Sequence, residues 1–232
     1  GPLCAGARMR GDPTMSEDGA MAKLAAHIAS EAAPGWRLAL GRLHLRVPTR
    51  NFATGLELVN AIGALAQEAD HHPDVNLRYG SVHVALSSHD AGGITERDIA
   101  LAAQIDDLLA QRGLTPAPAA VAVVEIAIDA LDIERIRPFW AAVLGWPVRD
   151  GNVVDPATAG PLVWFQQMDA ARPGRGRIHL DVTVAHDEAD ARIAAALAAG
   201  GRLVSDARAP AFWVLADPEG NEACICTWQN RG

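Results

Sequence analysis

Cysteine is scarce in this chain. Its 232 residues carry three, Cys4, Cys224 and Cys226, with no framework of spacings. That excludes a disulfide-built scaffold and fits a reducing compartment, so a cytoplasmic location is expected. Positive charge is also short: 20 Lys and Arg stand against 28 Asp and Glu, a formal charge of −8. Nucleic acid and anionic membranes both require a basic surface, so neither is expected as a partner. No apolar run approaches the roughly 20 residues of a membrane span, and the N-terminal residues do not read as a charged-then-apolar leader. Half of the residues are hydrophobic, with 14 Pro and 21 Gly, an ordinary globular composition with room for one large or two small domains.

Histidine, by contrast, is concentrated. Four of the eight fall between positions 71 and 89, in Asp70-His71-His72-Pro73, Val82-His83 and Ser88-His89-Asp90. Imidazole titrates near neutral pH, so such a cluster can give and take protons without a metal. Adjacent residues such as His71 and His72 rarely reach one ion together, and no Cys or Glu arrangement completes a tetrahedral site, so no metal is expected there. His83 lies within a strand pattern and reads as a structural hydrogen-bonding residue.

Gly1-Pro2-Leu3 reads as a cloning remnant and residues 1–18 as a disordered tail. The spacing then predicts a short helix over 20–32, two short strands around Gly41 over 36–47, and a helix capped by Thr49 or Asn51. That helix should carry Phe52, Leu56 and Val59 on its core face, with His71-His72 closing it and Pro73 stopping it. A strand follows over 81–88, with Val82, Val84 and Leu86 on one face. Thr95-Glu96-Arg97-Asp98 opens another helix with a capping pattern. Gly113-Leu114-Thr115-Pro116-Ala117-Pro118 breaks all periodicity. The expected division is a domain over 19–113, a linker over 114–120 and a second domain over 121–230.

The second domain contains an internal repeat. A strand over 123–130 leads through Asp132 into a helix ending at Leu144-Gly145, and a strand over 178–185 leads through Asp187 into a helix ending at Ala199-Gly200. Pro161-Leu162-Val163-Trp164 is echoed by Pro210-Ala211-Phe212-Trp213. Each copy reads as strand, helix and several strands, and two such half-sheets would bury their apolar faces together and leave a cleft. Asp217-Pro218-Glu219-Gly220-Asn221 reads as a structural turn, Cys224 and Cys226 as inert core cysteines, and the tryptophans of this unit mainly as core.

Residues 20–112 resemble the pterin-4a-carbinolamine dehydratases through Gly35-Trp36, His71-His72-Pro73, Tyr79, Ser88-His89-Asp90, Gly92-Gly93 and Thr95-Glu96-Arg97-Asp98. Five residues separate Pro73 from Tyr79, nine separate Tyr79 from His89, and eight separate His89 from Asp98. The resemblance implies an antiparallel sheet with helices on one face, assembled as a homodimer or homotetramer. It implies dehydration of 4a-hydroxytetrahydrobiopterin to the quinonoid dihydropterin, with the pterin as substrate and no cofactor. On this resemblance His71, His72 and His89 are the catalytic set, and Trp36 and Asp98 lie close to the pterin. Which histidine is acid and which is base stays open. The family has an acidic residue four positions before His71, where this chain has Gln67 with Glu68 beside it; whether activity is weaker for it or the role has moved to Asp70, named with Trp36 and Asp98 as a substrate-binding residue, stays open.

Residues 121–228 resemble a glyoxalase-like member of the vicinal oxygen chelate superfamily, through Phe139-Trp140, Leu144-Gly145-Trp146, Ile178-His179-Leu180-Asp181-Val182 and the segment from Trp213 to Glu222. The fold class expected for the whole chain is therefore α+β, a dehydratase-type sheet followed by a paired βαβββ domain. Metal-dependent members of the superfamily take ligands from the first and last strands of each repeat. Glu125 and His179 stand at equivalent first-strand positions, the last-strand position falls near Cys224 with Gln166 or Gln167 in the other copy, and Glu222 shares a strand face with Cys224. Glu125, His179 and Glu222 are the candidate cleft residues, although Glu, His, Gln and Cys make a poor divalent site. The second domain would bind a related heterocycle, gate the first site or set the assembly. Two other readings stand beside the dehydratase: a non-catalytic dimerisation, assembly or chaperone module, and metal-dependent lyase or dioxygenase chemistry in the C-terminal cleft.

Overall fold

The computed structural model describes residues 22–171, 174, 179–184 and 186–230. The expected tail, and Ile178 and Ala185 at the ends of an expected strand, fall outside them. The chain divides into two compact units, residues 1–123 and 124–232. No described helix is long and apolar enough to cross a membrane.

The first unit opens with helix α1 (Ala26–Ala32). The expected helix begins later than its periodicity suggests, because Leu24 donates its N–H to the Ile94 carbonyl at 2.7 Å and the preceding residues run extended. Strands β1 (Arg37–Ala39) and β2 (Arg42–Pro48) form a hairpin whose Leu40 and Gly41 have φ of 47° and 71°. Two left-handed residues match the twist of the flanking strands. Helix α2 (Phe52–Glu68) starts at Asn51, whose side chain accepts from the Thr54 N–H. Strands β3 (Asp74–Arg78) and β4 (Ser81–Leu86) and helix α3 (Glu96–Gln111) complete the unit.

The sheet runs β1-β2-β4-β3, antiparallel throughout. Strand period two sends Leu43, Leu45 and Val47 of β2 and Val82, Val84 and Leu86 of β4 into one core, where they meet Leu58 and Ile62 of α2 and Leu101, Ile105 and Leu109 of α3. All helices therefore cover the same face. The buried stripe of α2 is Gly55, Leu58, Ile62 and Ala66; of the expected stripe Val59 packs against the core from its edge, whereas Phe52 and Leu56 are exposed. At Gly55 the helix lies close to the sheet: a Cβ there would stand 2.6 Å from Leu77 Cδ1 and 3.3 Å from Thr49 Oγ1. The segment expected as a linker is partly fastened to this unit, since Ala117 donates to the Arg46 carbonyl and Leu114 packs against the core.

The second unit holds strand β5 (Glu125–Ala130), helix α4 (Ile133–Leu144) and strands β6 (Val148–Arg149), β7 (Asn152–Val153) and β8 (Leu162–Gln167). It then repeats with β9 (Leu180–Thr183), α5 (Ala189–Ala198), β10 (Arg202–Arg208), β11 (Phe212–Ala216) and β12 (Glu222–Cys226). The two sheets have one topology, β5-β8-β7-β6 and β9-β12-β11-β10, with the first and last strands of each copy parallel. The echo between Pro161-Trp164 and Pro210-Trp213 pairs strands that are not equivalent. It starts β8, the fourth strand of its copy, and β11, the third of the other, so it repeats strand-entry chemistry rather than the fold. Trp140 is buried, as expected of a core tryptophan, whereas Trp228 is 68% exposed, edge-on to His186 with its Nε1 donating to His186 Nδ1 at 3.3 Å.

Candidate functional site

The end of α2 builds the first wall. The Ala69 N–H closes the helix onto Leu65 and Gln67, Asp70 turns left-handed at φ 45°, and the His71 N–H returns to the Ala66 carbonyl at 3.1 Å. Asp is among the residues that tolerate that conformation. The helix therefore ends before the histidines, and His71 and His72 stand in the link to β3 rather than in a last helical turn. The two rings part immediately. His71 is buried and its Nε2 lies 2.7 Å from Asp98 Oδ1, while His72 is exposed and its Nε2 lies 3.0 Å from Gln67 Oε1.

Asp98 is the hub beneath this wall. It is fully buried at the third position of α3, where Oδ2 accepts the Thr95 N–H at 2.8 Å and completes a capping box. The same oxygen accepts from Ser88 Oγ at 2.8 Å, and Ser88 Oγ and Thr95 Oγ1 are 2.8 Å apart. One carboxylate thus starts α3, holds the residue before His89 and orients His71. A buried acceptor with its lone pairs filled is the arrangement that keeps such a group from being destabilising.

The second wall is the turn from Ser88 to Gly93, closed by hydrogen bonds between the Ser88 and Gly93 backbones in both directions. It presents His89, and Arg97 of α3 fastens it by an ion pair with Asp90. The Arg97 guanidinium holds the exposed Asp90 carboxyl below the usual carboxylate range. Between the walls is a cavity of about 270 Å³ lined by Asp70, His71, His72, Ser87, Ser88, His89, Asp90 and Arg97. That is at the small end for a ligand site, the size suited to one flat heterocycle. Three imidazoles from two separate segments face it.

The expected site residues are thus distributed in three ways. His71, His72, His89 and Asp70 line the cavity, and Asp98 sits behind His71 without reaching it. Trp36 does not line it: the indole is 2% exposed in the core, with Nε1 donating to Asp106 Oδ1 at 3.0 Å. Burial pushes the Asp106 carboxyl upward. Sequence reasoning left out Ser87, Ser88, Asp90 and Arg97 as wall residues, although Ser88, Asp90 and Arg97 fall inside the quoted motifs. The Gln67 contact to His72 had no local signal beyond the departure at position 67.

His83 does make a structural bond, with a partner that spacing did not suggest. His44 Nδ1 lies 3.2 Å from His83 Nε2, the rings are stacked at 9°, and His44 Nε2 lies 3.3 Å from the Ala39 carbonyl. A carbonyl only accepts, so His44 carries its proton on Nε2 and His83 donates to His44 Nδ1. The pair stands on the sheet face away from the helices.

In the second unit His179, Asp181 and Cys224 come together, with ligand-type atoms within 4.8 Å of one another and His179 Nε2 3.4 Å from Asp181 Oδ1. Among the described residues Glu125, which is exposed, and Glu222, which is half-buried, are not part of this group. Burial first, then the Asp181 carboxylate, pushes the Cys224 thiol up to about 12. The three make a mixed N, O and S donor set of two exposed groups and one buried thiol, and neither Glu125 nor Glu222 completes it.

The sequence matches the family described as "Pterin 4 alpha carbinolamine dehydratase" over residues 17–108 and the "Glyoxalase-like domain" over residues 125–226. A Thermomicrobium roseum protein named "Putative pterin-4-alpha-carbinolamine dehydratase" is 47% identical over 75 residues, 32% of this chain and 81% of that protein. Among solved structures, a transcriptional coactivator/pterin dehydratase from Brucella melitensis is 25% identical with a TM-score of 0.36, over 37% of this chain and 97% of that one. A glyoxalase/bleomycin resistance protein/dioxygenase family enzyme from Burkholderia phytofirmans PsJN is 18% identical with a TM-score of 0.38, over 44% and 95% of the two chains. The chain belongs to the pterin-4a-carbinolamine dehydratase family through its N-terminal unit, and it carries a glyoxalase-like domain behind it.

Proposed function

We propose that the N-terminal unit dehydrates a 4a-hydroxytetrahydropterin to the quinonoid dihydropterin by histidine acid and base catalysis. The observation that carries this reading is the convergence of His71, His72 and His89 on one small cavity, with His71 anchored on the buried Asp98. In the reaction the C4a–O bond breaks, the hydroxyl takes a proton from an acid and departs as water, and a base removes a proton from the ring. No electrons enter or leave. Imidazole supplies both roles near neutral pH, each typically contributing 10²–10⁴-fold. Ser87, Ser88 and the carboxylates of Asp70 and Asp90 add polar groups along the wall for the amino and carbonyl edges of a pterin. Sequence identity to proteins named for this activity supports the same reading.

The test is a dehydratase assay on freshly generated 4a-hydroxytetrahydropterin, following the quinonoid product by absorbance. Wild type is run beside His72→Ala and His89→Ala in chelator-treated buffer. Acceleration over the spontaneous reaction, lost in both variants while their folding is intact, is the expected result. A well-folded wild type without acceleration would sink the assignment.

A further inference from the structure

We infer that Gln67 is a positioning residue for His72: its amide oxygen takes the Nε2 proton of that ring and leaves Nδ1 as the basic atom offered to the cavity. The role in turnover rests on the dehydratase reading above, but the geometry does not. His72 Nε2 and Gln67 Oε1 are 3.0 Å apart, and among the described residues His72 makes no other side-chain hydrogen bond. The backbone brings these two exposed side chains together. Gln67 lies in the last turn of α2, its own carbonyl accepts from the Ala69 N–H, and the left-handed Asp70 folds the chain back so that residue 72 returns over residue 67.

The chemistry of the two partners differs. His71 leans on a carboxylate that is fully buried, whereas His72 leans on a neutral amide. A carboxylate beside an imidazole favours its protonated form; an amide oxygen fixes the same orientation and the same tautomer without adding that charge. The remaining titratable and charged neighbours that share the cavity with His72 are Asp70, His71, His89, Asp90 and Arg97. A glutamate at position 67 would place a carboxylate directly against this ring, where the wild-type amide places none. In this chain that position carries a neutral amide, so the ring is oriented without a further carboxylate beside it.

The experiment is ¹⁵N and ¹H NMR of the histidine rings in wild type, Gln67→Glu and Gln67→Leu. In wild type at neutral pH, His72 is expected as the Nε2–H tautomer. Gln67→Glu should move the His72 titration to higher pH and carry the acidic limb of the dehydratase pH profile with it. Gln67→Leu, which keeps size and removes the acceptor, should mix the two tautomers and lower kcat by about 2- to 10-fold, the worth of one neutral hydrogen bond. Activity in the conservative Gln67→Glu should return at high pH, which a merely structural role would not produce. An Nδ1–H tautomer in wild type, or a His72 titration that Gln67→Glu leaves in place, overturns the inference. A wild type with the expected tautomer and no dehydratase activity would overturn the proposed reaction and leave the Gln67 assignment intact.

Discussion

Asp98 and His71 stand 27 positions apart in sequence and 2.7 Å apart in space, and that contact joins the start of α3 to the first wall of the cavity. The same carboxylate accepts the Thr95 N–H and the Ser88 hydroxyl, so folding and site geometry depend on one side chain. Asp98→Asn keeps the shape and halves the acceptor capacity, and its amide N–H₂ faces donors. The expected cost is about 1.5–3 kcal/mol of unfolding free energy, the range for a buried hydrogen bond to a charged group. Misorienting His71 should also lower kcat by about tenfold or more, since each 1.4 kcal/mol in the barrier is tenfold. Urea unfolding and the dehydratase assay on one preparation measure both. Full activity in a destabilised Asp98→Asn would separate the cap from the site.

Arg97 poses the opposite case. Its ion pair with Asp90 is largely solvent-exposed, and exposed pairs contribute little to stability. The pair nonetheless fastens the turn that presents His89. Arg97→Gln should leave the melting temperature unchanged while weakening kcat/KM several-fold. Unchanged kinetics would mean that the backbone hydrogen bonds between Ser88 and Gly93 hold the turn unaided.

Some of this site is readable along the chain and some is not. Thr95-x-x-Asp98 announces a helix start because capping is local, confined to four residues. The second use of Asp98, on His71, is long-range and has no signature. The α2 face misleads for a related reason: Phe52 and Leu56 are spaced as core residues, but which apolar stripe a helix buries depends on where the sheet approaches, and here it approaches along Gly55, Leu58 and Ile62. His44 hides among Leu43 and Leu45 in an alternating strand, so only the sheet register brings it to His83. Trp36 shows how a residue quoted in a motif can serve the core rather than the cavity.

The His44–His83 pair makes stability depend on pH. For both rings the largest cause is burial; His44 is lowered further by His83, and His83 by Arg46 and Arg42. Both folded-state values are therefore below the ordinary value of 6.5. As pH falls through that value the unfolded chain binds protons that the folded protein resists, so the pair's contribution is full above about 6.5 and is lost as pH falls from there through the lowered folded values. The raised carboxyl of Asp106 acts in the other direction at more acidic pH, favouring the folded state as it takes its proton. Urea midpoints at pH 7.5 and 5.5 should drop for wild type on acidification. In His83→Leu, with one titrating ring gone, the drop should be smaller; an equal drop in both proteins would place the acid sensitivity elsewhere.

In the second unit the corresponding test falls on Asp217, which is fully buried. Its Oδ1 accepts the N–H groups of Glu219 and Asn221 at 2.9 Å each, and its Oδ2 accepts Asn221 Nδ2 at 2.7 Å and Trp140 Nε1 at 3.1 Å. The turn it forms reaches across to the other repeat, where Glu219 accepts the Leu131 and Asp132 N–H groups at the entry to α4. One carboxylate therefore joins the loop between β11 and β12 to the first copy of the repeat through Trp140 and Glu219. Asp217→Ala leaves the Trp140 indole N–H and two backbone N–H groups without acceptors inside the fold. Each orphaned donor costs about 1–3 kcal/mol, so the loss should reach about 3 kcal/mol or more. Because the first unit has its own core, that loss should appear as an earlier unfolding transition, reported by tryptophan fluorescence, while dehydratase activity survives through it. If Asp217→Ala lowered the stability of both units equally, the effect of this carboxylate would not be confined to the second unit, and the prediction would fail.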